Sequence, residues 1–410
     1  MPLSKLWVIA YRDLGRHRRR SAFTLLAVAL GLGLLLTVNG LISGVVADSL
    51  ANSIRLRTGH VQIRAASFQE DQLSLQAKDL LANPDQLAVQ AKALSEVKAA
   101  APVLWASAIL NTIDQSVGLQ LMGIDTASSL YDPIRAGVVK GDWLTPDDRE
   151  GVLIGRGLAD NLGLDVGQKV NLTLVNSDGR PDEGTFTIRG LFSTGIPSYD
   201  QSAVFMPLDK AQAFTDASGR ASLIMILLNN QNDAPQVAAA LSGPGVSVLT
   251  WSDLNKFFVE TMASAMSFYA ILDFIVILIV AVIIVNTLLM SVFERFREMG
   301  ILASLGMKGG QIREMVLLEA ATLGLMGIVV GIIIGIAGVG YLATTGIPIG
   351  DKMAAVAGSN FALSSTMYGR FDVSSFISLS LATLIVVVLA SLYPAFYAAR
   401  LEPVEALRAD

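Results

Sequence analysis

The sequence predicts a membrane protein of four transmembrane α-helices, with a large α+β extracytoplasmic domain inserted between helices 1 and 2. Three observations predict it. Apolar runs at residues 21–47, 274–293, 320–343 and 373–393 each reach the roughly 20 residues that a helix needs to cross a hydrocarbon core. Between the first two runs, residues 48–265 alternate short β-like pieces with helical ones, and none of these is long enough to span. The composition is 52% hydrophobic and 16% charged with a mean hydropathy of +0.55, too apolar for an ordinary soluble chain and too charged for a bundle wholly in lipid.

Composition also excludes chemistry. With no cysteine there is no disulfide framework, thiolate metal site, thiol nucleophile or lipidated cysteine. His17 and His60 lie on opposite sides of the first apolar run, so no shared histidine metal site is expected. A net charge of -5, with the basic residues gathered at one end, gives no support to nucleic-acid binding. Gly-x-Ser-x-Gly and His-Glu-x-x-His are missing, so no catalytic residue is expected. Gly-x-x-x-x-Gly-Lys-Ser/Thr is missing too, so any ATP and Mg are expected on another polypeptide and no cofactor on this chain.

Residues 1–20 carry Lys5, Arg12, Arg16, Arg18, Arg19 and Arg20 against Asp13, immediately before the first uncharged run. This asymmetry places the N-terminus in the cytoplasm. Trp7, Val8, Tyr11 and Leu14 share a helical face, so the stretch reads as a basic amphipathic helix along the inner surface or as a bare topogenic charge cluster. The run at 21–47 exceeds the about 7 to 15 residues of a signal-peptide core, so it is read as a retained span. Beyond Ala47 the helical period continues through Leu50, Ile54 and Arg57 as a stalk.

Within the inserted domain, Asn83 and Pro84 open a helix expected to reach about residue 99, with Asn83 as its cap. Strands are expected at 103–113, 118–123, 151–154, 169–175, 185–192, 203–206 and 246–250, and a helix at 235–241. Asp147 with Asp148, and Asp182 with Glu183, fall in turns and read as solvated loop. Gly155 and Gly157 precede a short helix, where a tight turn explains them better than a phosphate site. Phe257, Phe258, Met262 and Met266 mark a descending stalk that feeds the second span, residues 266–293.

Asp273 sits where that span meets the outer surface, as an interfacial residue in contact with water or as a carboxylate facing a cavity. In the third span, 320–343, Gly327, Gly331 and Gly335 recur every fourth residue and leave one face bare for another helix. A short periplasmic loop, 344–372, precedes the fourth span, 373–393, and a cytoplasmic tail, 394–410.

Residues 294–319 are the long charged interruption between the second and third spans, and so lie in water. Met299, Leu302, Ala303 and Gly306 fall at helical spacing while Arg295, Arg297, Glu298 and Lys308 decorate other faces, as in a helix that offers an apolar stripe to a partner. Periodicity alone fits an amphipathic helix on the membrane surface equally well. The run from Glu294 through Arg295, Phe296, Arg297, Glu298, Met299, Gly300, Ile301 and Leu302, followed by Leu305 and Gly306, closely resembles the coupling segment of one permease family. That family includes the lipoprotein-releasing permeases, the MacB-type exporters and the cell-division permease FtsX. Residues 192–200 and the run from Val204 to Leu208 resemble the corresponding stretches of the lipoprotein-releasing permeases, and the tail at 394–408 resembles the family's terminal motif.

The resemblance implies a MacB/FtsX-type permease of the bacterial inner membrane, with both termini cytoplasmic. It implies that Glu294, Arg295, Arg297, Glu298, Met299, Gly300, Leu302, Leu305 and Gly306 dock on an ABC ATPase dimer. It further implies a second permease subunit, identical or homologous. The expected function is ATP-driven mechanotransmission that extracts an amphiphilic cargo such as a lipoprotein. The alternatives are a regulatory permease controlling a cell-wall hydrolase, and a drug or peptide exporter subunit. Leu41, Val45, Met262, Met266 and Phe268, at the outer ends of spans one and two, are candidates to line a lipid-accepting cleft, with plain bilayer contact as the alternative.

Overall fold

The computed structural model describes residues 18–68, 75–357 and 361–400. The amphipathic segment expected at 1–20, except its last three residues, and the tail beyond residue 400 lie outside the described residues. The chain divides into a unit of 1–46, 262–347 and 367–410 and a unit of 47–261 and 348–366.

The first unit is helical. It holds α3 (Phe296–Ser304), α4 (Gly309–Thr344) and α5 (Val373–Ala399) with most of α1 (Arg18–Ser53) and α2 (Lys256–Glu294), whose residues 47–53 and 256–261 belong to the second unit. All but α3 are long and apolar enough to cross a membrane. Because α4 starts at Gly309, the segment 294–319 is not one helix: its second part is the opening turns of the third long helix.

The glycine ladder seats α4 on α1. A Cβ added at Gly327 or Gly335 would lie 2.7 Å from the Cβ of Val28 or Leu36, and one at Gly331 would lie 3.1 Å from the Leu32 Cβ. Val28, Leu32 and Leu36 recur every fourth residue on α1 and are buried, so the two periods mesh. Gly324 receives Val387 of α5 in the same manner. Phe23, Leu30 and Leu34 on the opposite side of α1 stay exposed, as a lipid-facing stripe should.

The second unit is built on one mixed sheet of ten strands. Its first half in sequence is β1 (Val61–Ala65), β2 (Val97–Asn111), β3 (Ser116–Ile124), β4 (Val138–Gly141) and β5 (Gly151–Gly155). The rest is β6 (Lys169–Val175), β7 (Pro181–Phe192), β8 (Ala203–Pro207), β9 (Leu223–Leu228) and β10 (Val246–Thr250). The order across the sheet is β10-β1-β9-β2-β3-β8-β5-β7-β4, with β6 joining β2 and β7 off this path. Pairing is antiparallel except for β3 with β8 and β5 with β7. An aromatic cluster fixes one core: Phe192 and Phe205 meet edge to face at 5.2 Å, and Tyr199 packs on both.

Several sequence expectations are corrected here. The helix after Asn83 is Pro84–Lys92, because Ala99, Ala100, Ala101 and Val103 are drawn into β2 by pairing with β9. Asn83 does not cap through its side chain; it adopts a left-handed backbone at φ 55. β9 was not expected, since its unbroken run of Leu, Ile and Met lacks alternation, as a strand covered on both faces does. Asp148 is not solvated loop. Its carboxylate accepts from the Gly151 amide at 2.8 Å and pairs with Arg189 at 2.7 Å. Burial pushes its acidity one way, but Arg189 and the Glu150 and Gly151 amides together hold it below the usual carboxylate range. Gly155 is required by close approach: a Cβ there would collide with the Asp200 main chain.

Candidate functional site

The candidate site is the connection from α2 to α4. At Arg295 the backbone leaves the α2 helix with φ -108 and ψ 17, which lets the chain restart as α3. At the far end Leu305 closes α3, and Gly306 turns the chain at φ 93, a region open to glycine. The Gln311 side chain then accepts from the Lys308 amide at the start of α4.

The connection is pinned from within. The guanidinium of Arg295, only 5% exposed, reaches Glu319 of α4 at 3.2 Å and Glu298 of α3 at 3.1 Å. Glu319 is itself 4% exposed, so this is an ion pair out of water. Around it Met299 joins Val292, Ile312, Met315, Val316, Ala395 and Ala398 in an apolar cluster. Arg313 lies over the Phe396 ring at 5.1 Å, tying α5 to the same end.

The expected apolar stripe is therefore corrected. Met299 and Gly300 face inward and pack within the chain, Leu302 and Ala303 are half-buried, and Gly306 is past the helix end. The exposed face of α3 carries Arg297, Ile301 and Leu305, at successive i,i+4 positions, with Glu294 and Glu298 exposed beside it. Ile301 is 45% and Leu305 79% exposed. Ile301 was not among the candidates, although its spacing from Arg297 and Leu305 was the signal for it.

The proposed cleft residues are less concentrated. Leu41, Val45 and Met262 are half-buried, and Met266 and Phe268 are exposed. Met262 and Met266 share a face of α2, while Phe268, about 200° further round from Met266, points from another and packs on Tyr269. Asp273 accepts from the Asn39 amide at 3.0 and 3.2 Å, so that carboxylate joins α1 to α2.

Residues 21–243 match the MacB-like periplasmic core domain, and residues 270–403 match the FtsX-like permease C-terminal region. The chain is 24% identical over 424 residues to the lipoprotein-releasing system transmembrane protein LolC of Xylella fastidiosa, covering 96% of each. It is 25% identical over 335 residues to LolC of Neisseria meningitidis serogroup B, covering 76% of this chain and 78% of that one. It is 23% identical over 431 residues to the macrolide export ATP-binding/permease protein MacB of Acinetobacter baylyi, covering 99% of this chain and 59% of the exporter. A MacB-like core domain followed by an FtsX-like permease region, carried on four apolar helices, identifies the chain as a member of the FtsX/MacB/LolC-like family of ABC transporter permeases.

Proposed function

We propose that this permease converts ATP hydrolysis by a separate ATPase dimer into movement of its extracytoplasmic unit, and that its cargo is a lipoprotein of the inner membrane. The buried Arg295 to Glu319 pair carries this reading: α3 is anchored to the base of α4, so a push on α3 is delivered to a span. The exposed Arg297, Ile301 and Leu305 face supplies one charge and two apolar contacts for the motor. A second permease subunit completes the assembly, and both termini lie in the cytoplasm. Two relatives named as lipoprotein-releasing proteins support the cargo.

The test is reconstitution with the cognate ATPase in proteoliposomes. Lipoprotein should stimulate ATP turnover, and Ile301→Asp with Leu305→Asp should abolish copurification of the ATPase. Retention of the ATPase by this double variant overturns the coupling face. Turnover stimulated by a macrolide or a peptide, and unmoved by lipoprotein, overturns the cargo.

A further inference from the structure

The α-helical part of α1 ends at Ser53, and Ile54–Thr58 follow as a π-helical turn. Gly59 closes it at φ 64, its amide bonded to the Ile54 carbonyl. Such turns are rare and concentrate at functional places. This one brings Arg57 to the wall shared by two cavities of the second unit, of about 310 and 190 Å³. Gln120 of β3 is the other residue common to both.

The larger cavity has two chemically distinct sides. Ser198 and Gln201, from the turn after β7, supply neutral polar groups, while Leu56, Ile196 and Ala362 supply an apolar wall. The smaller one is flanked by Trp105, Phe257 and Phe258. Among the described residues no carboxylate lines either cavity. Asp200, the acid of the adjoining turn, is buried and engaged elsewhere, accepting from the Thr194 hydroxyl at 2.7 Å, the Thr194 amide at 2.9 Å and the Ser193 hydroxyl at 3.0 Å. The Arg57 carbonyl accepts from Gln62, but among the described residues its guanidinium has no acidic partner. A planar five-donor cation beside neutral amides and hydroxyls suits a phosphate, and the apolar wall suits what a lipid phosphate is attached to.

We propose that the cavities around Arg57 bind the phosphate-bearing headgroup of a glycerolipid, with the phosphate on Arg57 and Gln120 and the first acyl carbons against Leu56, Ile196 and Ala362. Arg57 lies ten residues beyond Ala47, where the apolar run ends. The choice of an amphiphile as ligand rests on the proposed function; the phosphate chemistry rests on the cavity alone.

The experiment uses the full-length permease in a neutral maltoside detergent with no ATPase present, so its outcome is independent of the coupling face. Trp105 fluorescence is titrated with dihexanoyl phosphatidylglycerol, with inorganic phosphate and with dihexanoylglycerol, and a Trp105→Phe control removes the signal. Arg57→Gln should weaken the phospholipid by about tenfold or more, the effect of losing a charged hydrogen-bonding partner, while Arg57→Lys should restore part of it. Dihexanoylglycerol should bind weakly and equally to all three proteins. Equal phospholipid binding by wild type and Arg57→Gln, or equal binding of dihexanoylglycerol and phospholipid, overturns the proposal. Inorganic phosphate binding as tightly as the phospholipid overturns the lipid as the ligand.

Discussion

Arg295 does two jobs through one guanidinium, bridging α3 through Glu298 and α4 through Glu319. Glu319→Ala takes the buried carboxylate from that guanidinium and leaves the half-exposed Glu298 beside it, so it should cost on the order of 2 kcal/mol, less than the about 3–5 kcal/mol of a buried charge left with no partner. Replacing both charges together, as Arg295→Met with Glu319→Leu, should recover most of that loss, because a packed apolar pair needs no desolvated partner. Thermal midpoints of the purified permease in detergent distinguish the two outcomes. Asp148 makes a second residue-level prediction. Its acidity is held below the usual carboxylate range in the folded protein, so its stabilising contribution is present above its unfolded pKa of about 4 and is lost as pH falls through the folded value. The difference in thermal midpoint between wild type and Asp148→Asn should therefore shrink as a pH series descends below about 4.

The element scale is governed by how closely α1 and α4 approach. Gly335→Leu adds a side chain where even a Cβ would sit 2.7 Å from Leu36, and should cost at least the roughly 1–3 kcal/mol of an overpacked core. Gly310→Ala, in the first turn of α4 with open space around it, should be neutral or stabilising by up to about 1 kcal/mol. The same pair of thermal midpoints checks both. The four long helices and the glycine ladder were legible because lipid leaves few alternatives: apolar runs must be helices, and bare faces must meet. β9 and the first part of β2 were not legible, since the alanines of 99–101 favour helix locally and are overruled by their pairing across the sheet. The candidate coupling face was half legible. Spacing put Met299 and Leu302 on one face of a helix, but which side turns inward was decided by Ile312, Met315 and Ala398, distant in sequence.

For the whole molecule, the absence of cysteine makes topology directly testable. Ile113→Cys, at a fully exposed position between β2 and β3, should react with a membrane-impermeant maleimide on intact spheroplasts. Leu305→Cys should react only after permeabilisation, if α3 has the proposed cytoplasmic placement. Reaction of both from one side overturns the proposed arrangement. The inserted unit also has its two ends side by side: β1 and β10 are antiparallel neighbours, with Val61 opposite Thr250, and the Trp251 amide donates to the His60 carbonyl at 2.9 Å. Entry and exit strands joined in this way respond differently to two kinds of load. Prising α1 and α2 apart strains the ladder rung by rung, like the slider of a zip, whereas a tug shared by both helices reaches all the rungs at once and carries the unit along intact.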